Sequence, residues 1–535
     1  MRSERWNTGS ELKRRFRDAA DPAAGAGPVV YAANGKAYLD DSESHIAVIG
    51  RTGTGKSQCF SLPDMRNCLR KGESFFALDP KGELWRRNAC YIPENYQVFC
   101  LDFRNPRESP TRWNPLRAPY ELFRSENPAD HDIACSMVSE FWAGVYPIDP
   151  HADAFWPVAA ANYAKGLTYA LFETADEEDV NLDSIAVMME QSELRFGSGT
   201  LLKTFYESLP LHSLARRNLA TYVTGPNDTR GSIHSVAAAG LEAFSRSRGL
   251  MEMLSDDTLD ILHIDVTRPF AFIVIVPDET DVYDSLGGLV VSQVSQHLIR
   301  VAQGMGGRLP IRVNVVVEEL GSIGKAISQL PSLMVASRSR NIRLALVLQS
   351  LAQLTDIYGK SKAETIASCI GLTIGFSTND WATLSEWSGR CGERQAESNG
   401  HVSREPLITA AQLAAMPTGT ALVMADSQVK YIAQLPFFHE MYDSSDWQPP
   451  QYKPASRKKP LQSIDFETMV KERKRQKLKA TLAETSVERK NKPEEFSFDG
   501  PSNYDRLISR LDAKIAELKA KEEDTQEVKE GASDP

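Results

Sequence analysis

The stretch HIAVIGRTGTGKS at positions 45–57 constrains this chain more than any other. HIAVIG is short, apolar and β-branched, which reads as a buried strand. GRTGTGKS fits GxxxxGK[ST] in full, with Gly50, Gly55, Lys56 and Ser57 at the fixed places. SQCFSLPDMRNCLRK then reads as a helix. A strand, a Gly-rich loop and a helix in that order predict a phosphate cradle. Across Gly50, Arg51, Thr52, Gly53, Thr54, Gly55, Lys56 and Ser57, the glycines let the backbone wrap round phosphate oxygens. The loop and helix-start N–H groups then point at them. Lys56 brings a point charge to the β/γ-phosphates, and Ser57 brings a hydroxyl to Mg²⁺. ATP and Mg²⁺ are therefore the expected ligands.

The strand–helix alternation continues beyond the loop. SFFALDPKGEL and YQVFCLDF follow as buried strands, and later FAFIVIV, VNVVVEEL, LALVLQS, LTIGFS, TALVMA and VKYIAQL repeat the theme. This predicts an α/β fold built on a parallel sheet. Strand signals nearly vanish between 118 and 262, where apolar residues recur at helical period. The expected order is a basic N-terminal segment (1–27), the first part of a nucleotide-binding domain (28–117), an inserted all-α domain (118–262), the second part of the nucleotide-binding domain (263–448) and a charged tail (449–535). Within 28–45, AANGKAY is a hairpin turn signal.

Charge sets the tail apart. The chain has 535 residues, 42% apolar, and a net charge of −10. Residues 451–535 carry net +2 and the remainder −12, so the protein is not a uniformly basic nucleic-acid coat. Tyr504, Ile508, Leu511, Ile515 and Leu518 form a short heptad-like stripe, an amphipathic helix barely two heptads long. Seven scattered cysteines without CxxC read as reduced thiols. No stretch reaches the ~18 apolar residues of a membrane span.

A phosphate cradle also needs acidic groups at the end of a neighbouring strand. VNVVVEEL supplies Glu318, the expected partner of Ser57 in holding Mg²⁺ through water, and Glu319, the candidate water-activating base. Asp79 ends the strand before PKGEL. It either borders the nucleotide with Lys81 and Glu83 or caps the helix starting at ELWRR. Gln349 ends LALVLQ on the same edge, placed to sense the γ-phosphate or position water. SRSRNIR offers Arg338, Arg340 and Arg343, either a basic surface or a source of a trans-acting arginine. His45 reads as structural, and Trp156 and Tyr163 read as core.

These pieces resemble a family. HIAVIGRTGTGKS, LDPKGEL, WNPL (113–116), FWPVAAANYAKGL and VEELGSIGKAISQLPSLMVASRSRNIRLALVLQSLAQLTDIYGK, with AETI and STND after it, are similar to the type IV secretion coupling proteins of the TraG/TraD kind. The resemblance spans about 28–440. It implies a RecA-like P-loop ATPase domain interrupted by an all-α domain, a homo-hexamer, and ATP hydrolysis. It also implies delivery of relaxase-bound single-stranded DNA or protein effectors to a type IV secretion channel at the inner membrane. By motif position, Arg338 is similar to the family's trans-acting arginine and Gln349 to its glutamine motif.

The sequence departs from the family at two points. Members usually begin with two membrane helices, whereas here the P-loop starts at residue 50. The expected location is therefore cytoplasmic and peripheral to the inner membrane, with membrane contact only through partners. The other departure is Glu318, which stands where the family usually has Asp. Two further readings remain open: a receptor or scaffold of the secretion system that binds nucleotide and hydrolyses it poorly, and a related assembly ATPase.

Overall fold

The structure is a computed structural model that describes residues 4–148, 152–245, 247–277, 282–398, 401–426, 428–443, 445–455, 461–490 and 513. The chain divides into two compact units, Met1–Val470 and Lys471–Pro535. The first unit is built on nine strands: β1 (His45–Ile49), β2 (Ser74–Leu78), β3 (Gln97–Asp102), β4 (Phe270–Ile275), β5 (Val313–Val317), β6 (Ile342–Leu348), β7 (Ile370–Gly375), β8 (Thr420–Ala425) and β9 (Val429–Gln434). Their spatial order is β9-β8-β7-β1-β6-β5-β2-β4-β3. Strands β7 to β3 run parallel, and the β8–β9 hairpin closes one edge antiparallel.

Burial explains why these strands were legible as apolar runs. All residues of β1, β2, β4, β5 and β6 are buried, as a sheet covered on both faces requires. Alternation divides each strand between two cores. Ile46, Val48, Phe75 and Ala77 face the side covered by helix Leu62–Lys71, while Ala47, Ile49, Phe76 and Leu78 share a core with the helical block.

Among the described residues between β3 and β4, the regular structure is helical apart from two short paired segments, Arg195–Phe196 and Gly199–Thr200. Helix Phe155–Thr174 runs through its centre, with Tyr163 stacked on Tyr222 at 4.0 Å between ring centroids. Tyr163 is buried and Trp156 packs against the same core, as expected of both. Side chains set the helix starts: Asn127 and Asn181 accept from the backbone N–H of Ala129 and Ser184. Near the N-terminus, AANGKAY makes the expected hairpin. Val29–Ala33 pairs with Lys36–Leu39 across Asn34 and Gly35, both at positive φ.

The chain does not leave the core at 449. Trp447 Nε1 donates to the Arg86 carbonyl at 2.8 Å, and Arg112 Nε donates to the Ala455 carbonyl at 3.0 Å. Ile464, Phe466 and Val470 are buried, Phe466 against Phe205. The boundary between the units falls after Val470, which corrects the expected start of the tail. The stripe from Tyr504 to Leu518 lies outside the described residues.

Candidate functional site

Sheet order assembles the site. β6 lies between β1 and β5, and β2 flanks β5 on its far side. Register pairs Leu348 with Ile49, and Val317 with both Leu346 and Leu78. The residues that follow these strand ends therefore share one edge: Gly50, Gln349, Glu318 with Glu319, and Asp79. In open α/β sheets this carboxyl edge is where ligands bind.

The loop holds its shape through its own backbone and its neighbours. Gly50 N donates to Leu348 O at 3.1 Å, Arg51 N to Ser377 O at 2.9 Å, and Gly419 N to Thr54 O at 3.0 Å. Gly53 and Gly55 sit at φ of +82° and +103°, which a side chain would strain. A Cβ at Gly50 would stand 2.7 Å from Phe376 Cβ. Arg51, Thr52 and Gly53 are exposed at the tip. The Lys56 ammonium folds inward, donating to the carbonyl oxygens of Gly50 and, at 3.2 Å, Arg51. Burial lowers its pKa, and the carboxylates of Glu319 and Glu318 oppose that shift.

The two glutamates differ sharply. Glu318 projects among buried groups, and among the described residues its Oε1 makes no hydrogen bond of good geometry, although the Ser57 and Ser61 hydroxyls stand beside the carboxyl. Burial pushes its carboxyl up, while the hydroxyls of Ser61 and Ser57 pull it back. Glu319 sits in the left-handed region, φ 57° and ψ 57°, where the strand breaks into Leu320–Ile323. Its Oε1 accepts from Gln349 Nε2 at 2.9 Å. Gln349 is itself fixed: its N–H donates to Gln353 Oε1 at 2.8 Å and its carbonyl accepts from Thr378 Oγ1 at 2.9 Å.

Lys56, Ser57, Glu318, Glu319 and Gln349 thus stand on one edge. Asp79 is there too, but its carboxylate oxygens accept from the N–H groups of Glu83 and Trp85, both at 3.1 Å. This is the capping alternative. Burial and the neighbouring Glu318 charge raise its carboxyl to about 7, against the pull of those N–H groups. Glu83 accepts from Gln58 at 3.1 Å, and Lys81 is exposed. His45 is buried, bonded to Met334 O and Leu344 N. Arg343 is buried beside Asp64 at 3.7 Å and belongs to the core, and Arg340 bonds Ala336 O. Arg338 is exposed at the opposite edge of the sheet, near Glu43 and His45. It is no part of its own chain's site.

Ser61, Gln353 and Thr378 complete the arrangement and were not singled out from sequence. A signal existed for two of them. Ser61 lies one helical turn after Ser57, and Gln353 lies four residues after Gln349.

A P-loop strand at the centre of a parallel sheet, with acidic residues at the end of β5, defines a P-loop NTPase fold. The family model described as type IV secretory system conjugative DNA transfer matches residues 5–405, and the chain belongs to that family. Among solved structures, the bacterial conjugative coupling protein TrwBΔN70 in complex with sulphate is similar in fold. It has 18% identity and a TM-score of 0.60, over 85% of this chain and 97% of that one. The plasmid coupling protein TrwB in complex with ADP and Mg²⁺ gives the same values. TrwB with a non-hydrolysable ATP analogue matches at TM-score 0.57 and 18% identity, over 87% and 97% of the two chains. A sequence search of curated proteins finds no match. No helix among the described residues is long and apolar enough to cross a membrane.

Proposed function

We propose that this protein is an ATP-hydrolysing coupling protein that delivers DNA–protein or protein substrates to a type IV secretion or conjugation channel. The observation that carries the hydrolytic part is the Glu319–Gln349 pair, held at the strand end beside Lys56. The residues present fit the ligands. Lys56 spends its charge on its own loop's carbonyls, bonds that phosphate oxygens replace. The Oε1 of Glu318, without a hydrogen bond of good geometry and beside the Ser57 hydroxyl, suits a hydrated Mg²⁺. When bound, Mg²⁺ neutralises charge on the β- and γ-phosphates. Glu319 then serves as base toward water, and Gln349 orients that water or reads the γ-phosphate. Structures of TrwB with ADP and Mg²⁺ and with an ATP analogue support this ligand choice.

Family membership supports the rest of the reading: a homo-hexamer with Arg338 reaching a neighbour's site, relaxase-bound single-stranded DNA or effectors as cargo, and contact with channel components. It sits in the cytoplasm against the inner membrane, attached through partners. The test is ATP turnover with and without single-stranded DNA. Lys56→Ala, which leaves the loop backbone intact, abolishes turnover while the melting temperature stays near wild type. Wild-type turnover by that variant overturns the P-loop assignment. One observation favours a second reading: Glu318 is longer than the Asp usual there and its carboxyl is pushed up, which suits a receptor that hydrolyses slowly. Absence of stimulated turnover in the wild-type protein selects that reading.

A further inference from the structure

Helix Leu62–Lys71 carries two guanidinium groups one turn apart, Arg66 and Arg70. Arg66 is only 7% exposed. Its Nε donates to Asn88 Oδ1 at 3.0 Å, and its Nη2 reaches the Arg87 carbonyl at 3.4 Å. Its guanidinium carbon lies 3.4 Å from the centroid of the Tyr91 ring, with Phe438 and Tyr442 at 5.5 Å. Arg70 is exposed and sits 5.9 Å from the Tyr442 ring. Neither arginine has a carboxylate partner among the described residues.

That arrangement is electrostatically incomplete. A buried charge without an opposite charge is costly. Like charges at i and i+4 on a helix repel. Aromatic faces recover part of the loss. The remaining hydrogen-bond chemistry points the same way. Arg66, Arg70, Tyr91, Tyr442, Pro93 and Met441 line an open depression of about 570 Å³. Among the described residues the Tyr91 hydroxyl, buried there, makes no hydrogen bond of good geometry, and the polar group it interacts with is the Arg66 guanidinium, whose charge it favours. Tyr442 Oη already donates to Asn67 Oδ1. Asp443 lines the depression as well, and its carboxylate accepts from the N–H and hydroxyl of Ser445 instead of pairing with either arginine. Donors and cations in surplus, with their acceptors spent, call for an oxyanion.

We propose that this depression binds one nucleotide unit, its phosphate between Arg66 and Arg70 and its flat ring on the aromatic and Pro93–Met441 walls. Arg66 lies nine residues past Ser57, about 14 Å along the helix, so this is a second site and not the P-loop. A peptide carboxylate satisfies the charge but leaves the ring-lined wall empty, whereas a nucleobase covers it. The volume falls within the range of small-ligand pockets. The nucleotide unit is either free or part of a single strand.

The test titrates thymidine monophosphate and a strand of six thymidylates into the full chain carrying Lys56→Ala, so that the P-loop no longer dominates the signal. Saturable binding is expected. In that background Arg70→Glu weakens it about tenfold or more, because it replaces a charge-assisted contact with a repulsive one. Tyr91→Phe, which removes only the buried hydroxyl, weakens it several-fold on the same argument. Both added changes leave the melting temperature in place, and neither, made alone in the wild-type chain, alters ATP turnover. A strand that binds much more tightly than the monophosphate, with the same Arg70 dependence, identifies single-stranded nucleic acid as the source. Equal affinities identify the free nucleotide. Failure of both probes to bind overturns the proposal. So does wild-type affinity in folded Arg70→Glu and Tyr91→Phe proteins.

Discussion

Glu319 concentrates the site's strain in one residue. A non-glycine residue in the left-handed region costs roughly 1–2 kcal/mol, and its bond to Gln349 returns about 0.5–1.5 kcal/mol. The two nearly cancel, so the strain persists only because the turn aims the carboxylate along the edge. Glu319→Gly removes both the strain and the bond. Its melting temperature is expected to match or exceed wild type, while turnover falls by about 10²–10⁴, the usual worth of a general base. Glu319→Ala keeps the strain, loses the bond, and melts lower. Thermal melts beside turnover measurements separate the two. Lys56, Ser57, Glu318, Glu319 and Gln349 were legible because each stands at the end of an apolar run or inside a fixed spacing. Ser61, Gln353 and Thr378 were not, since a hydroxyl or amide on a helix or loop looks alike whether it faces a site or water. Asp79 was legible as an edge residue, but its commitment to the helix start depends on the φ +64° turn at Gly82.

Among the elements, the strands were the easiest to read. Buried on both faces, β1, β2, β4, β5 and β6 appear as nearly unbroken apolar runs. The stretch 461–470 was hardest, because its buried anchors Ile464, Phe466 and Val470 stand at spacings of two and four, matching neither strand nor helix throughout. Yet Phe466 is fully buried. Phe466→Ala is expected to destabilise the first unit by about 3–5 kcal/mol, the range for a large aromatic cut from a core, visible in chemical denaturation. Unchanged stability places the boundary back near 449. Helix Val282–Gly304 carries a second test. His297 is buried, and among the described residues neither of its ring nitrogens makes a hydrogen bond of good geometry. Burial first, then the Arg300 charge, lower its pKa from 6.5 to about 4, against the Ile264 carbonyl. Between those values the unfolded chain binds the proton and the folded one does not. Stability is therefore full above pH 6.5 and is lost as pH falls toward 4. His297→Gln is expected to flatten that part of the stability–pH curve, and an unchanged slope assigns the acid loss elsewhere.

At the scale of the whole molecule, the sheet separates two groups that the proposed reaction uses together. β6 runs from Ile342 to Leu348, so Arg338 before it and Gln349 after it are roughly 20 Å apart along the strand. An arginine at the amino edge cannot reach its own chain's P-loop, and the proposed ring would bring that edge to the next subunit's P-loop. Fold class and nucleotide loop were legible because they are properties of one chain; Arg338 as a completing cation rests on the proposed assembly, whose geometry no periodicity within the chain encodes. Removing an arginine finger costs about 10³–10⁵ in rate, so Arg338→Ala and Glu319→Gln proteins are each expected to be nearly inactive alone. Mixed in equal amounts, about a quarter of interfaces pair an intact Glu319 with an intact Arg338 from the next subunit, and turnover recovers by about that fraction. Mixed oligomers of verified composition that stay inactive remove Arg338 from the active site and leave its exposed guanidinium as surface charge. Full activity in Arg338→Ala alone does the same without the mixing.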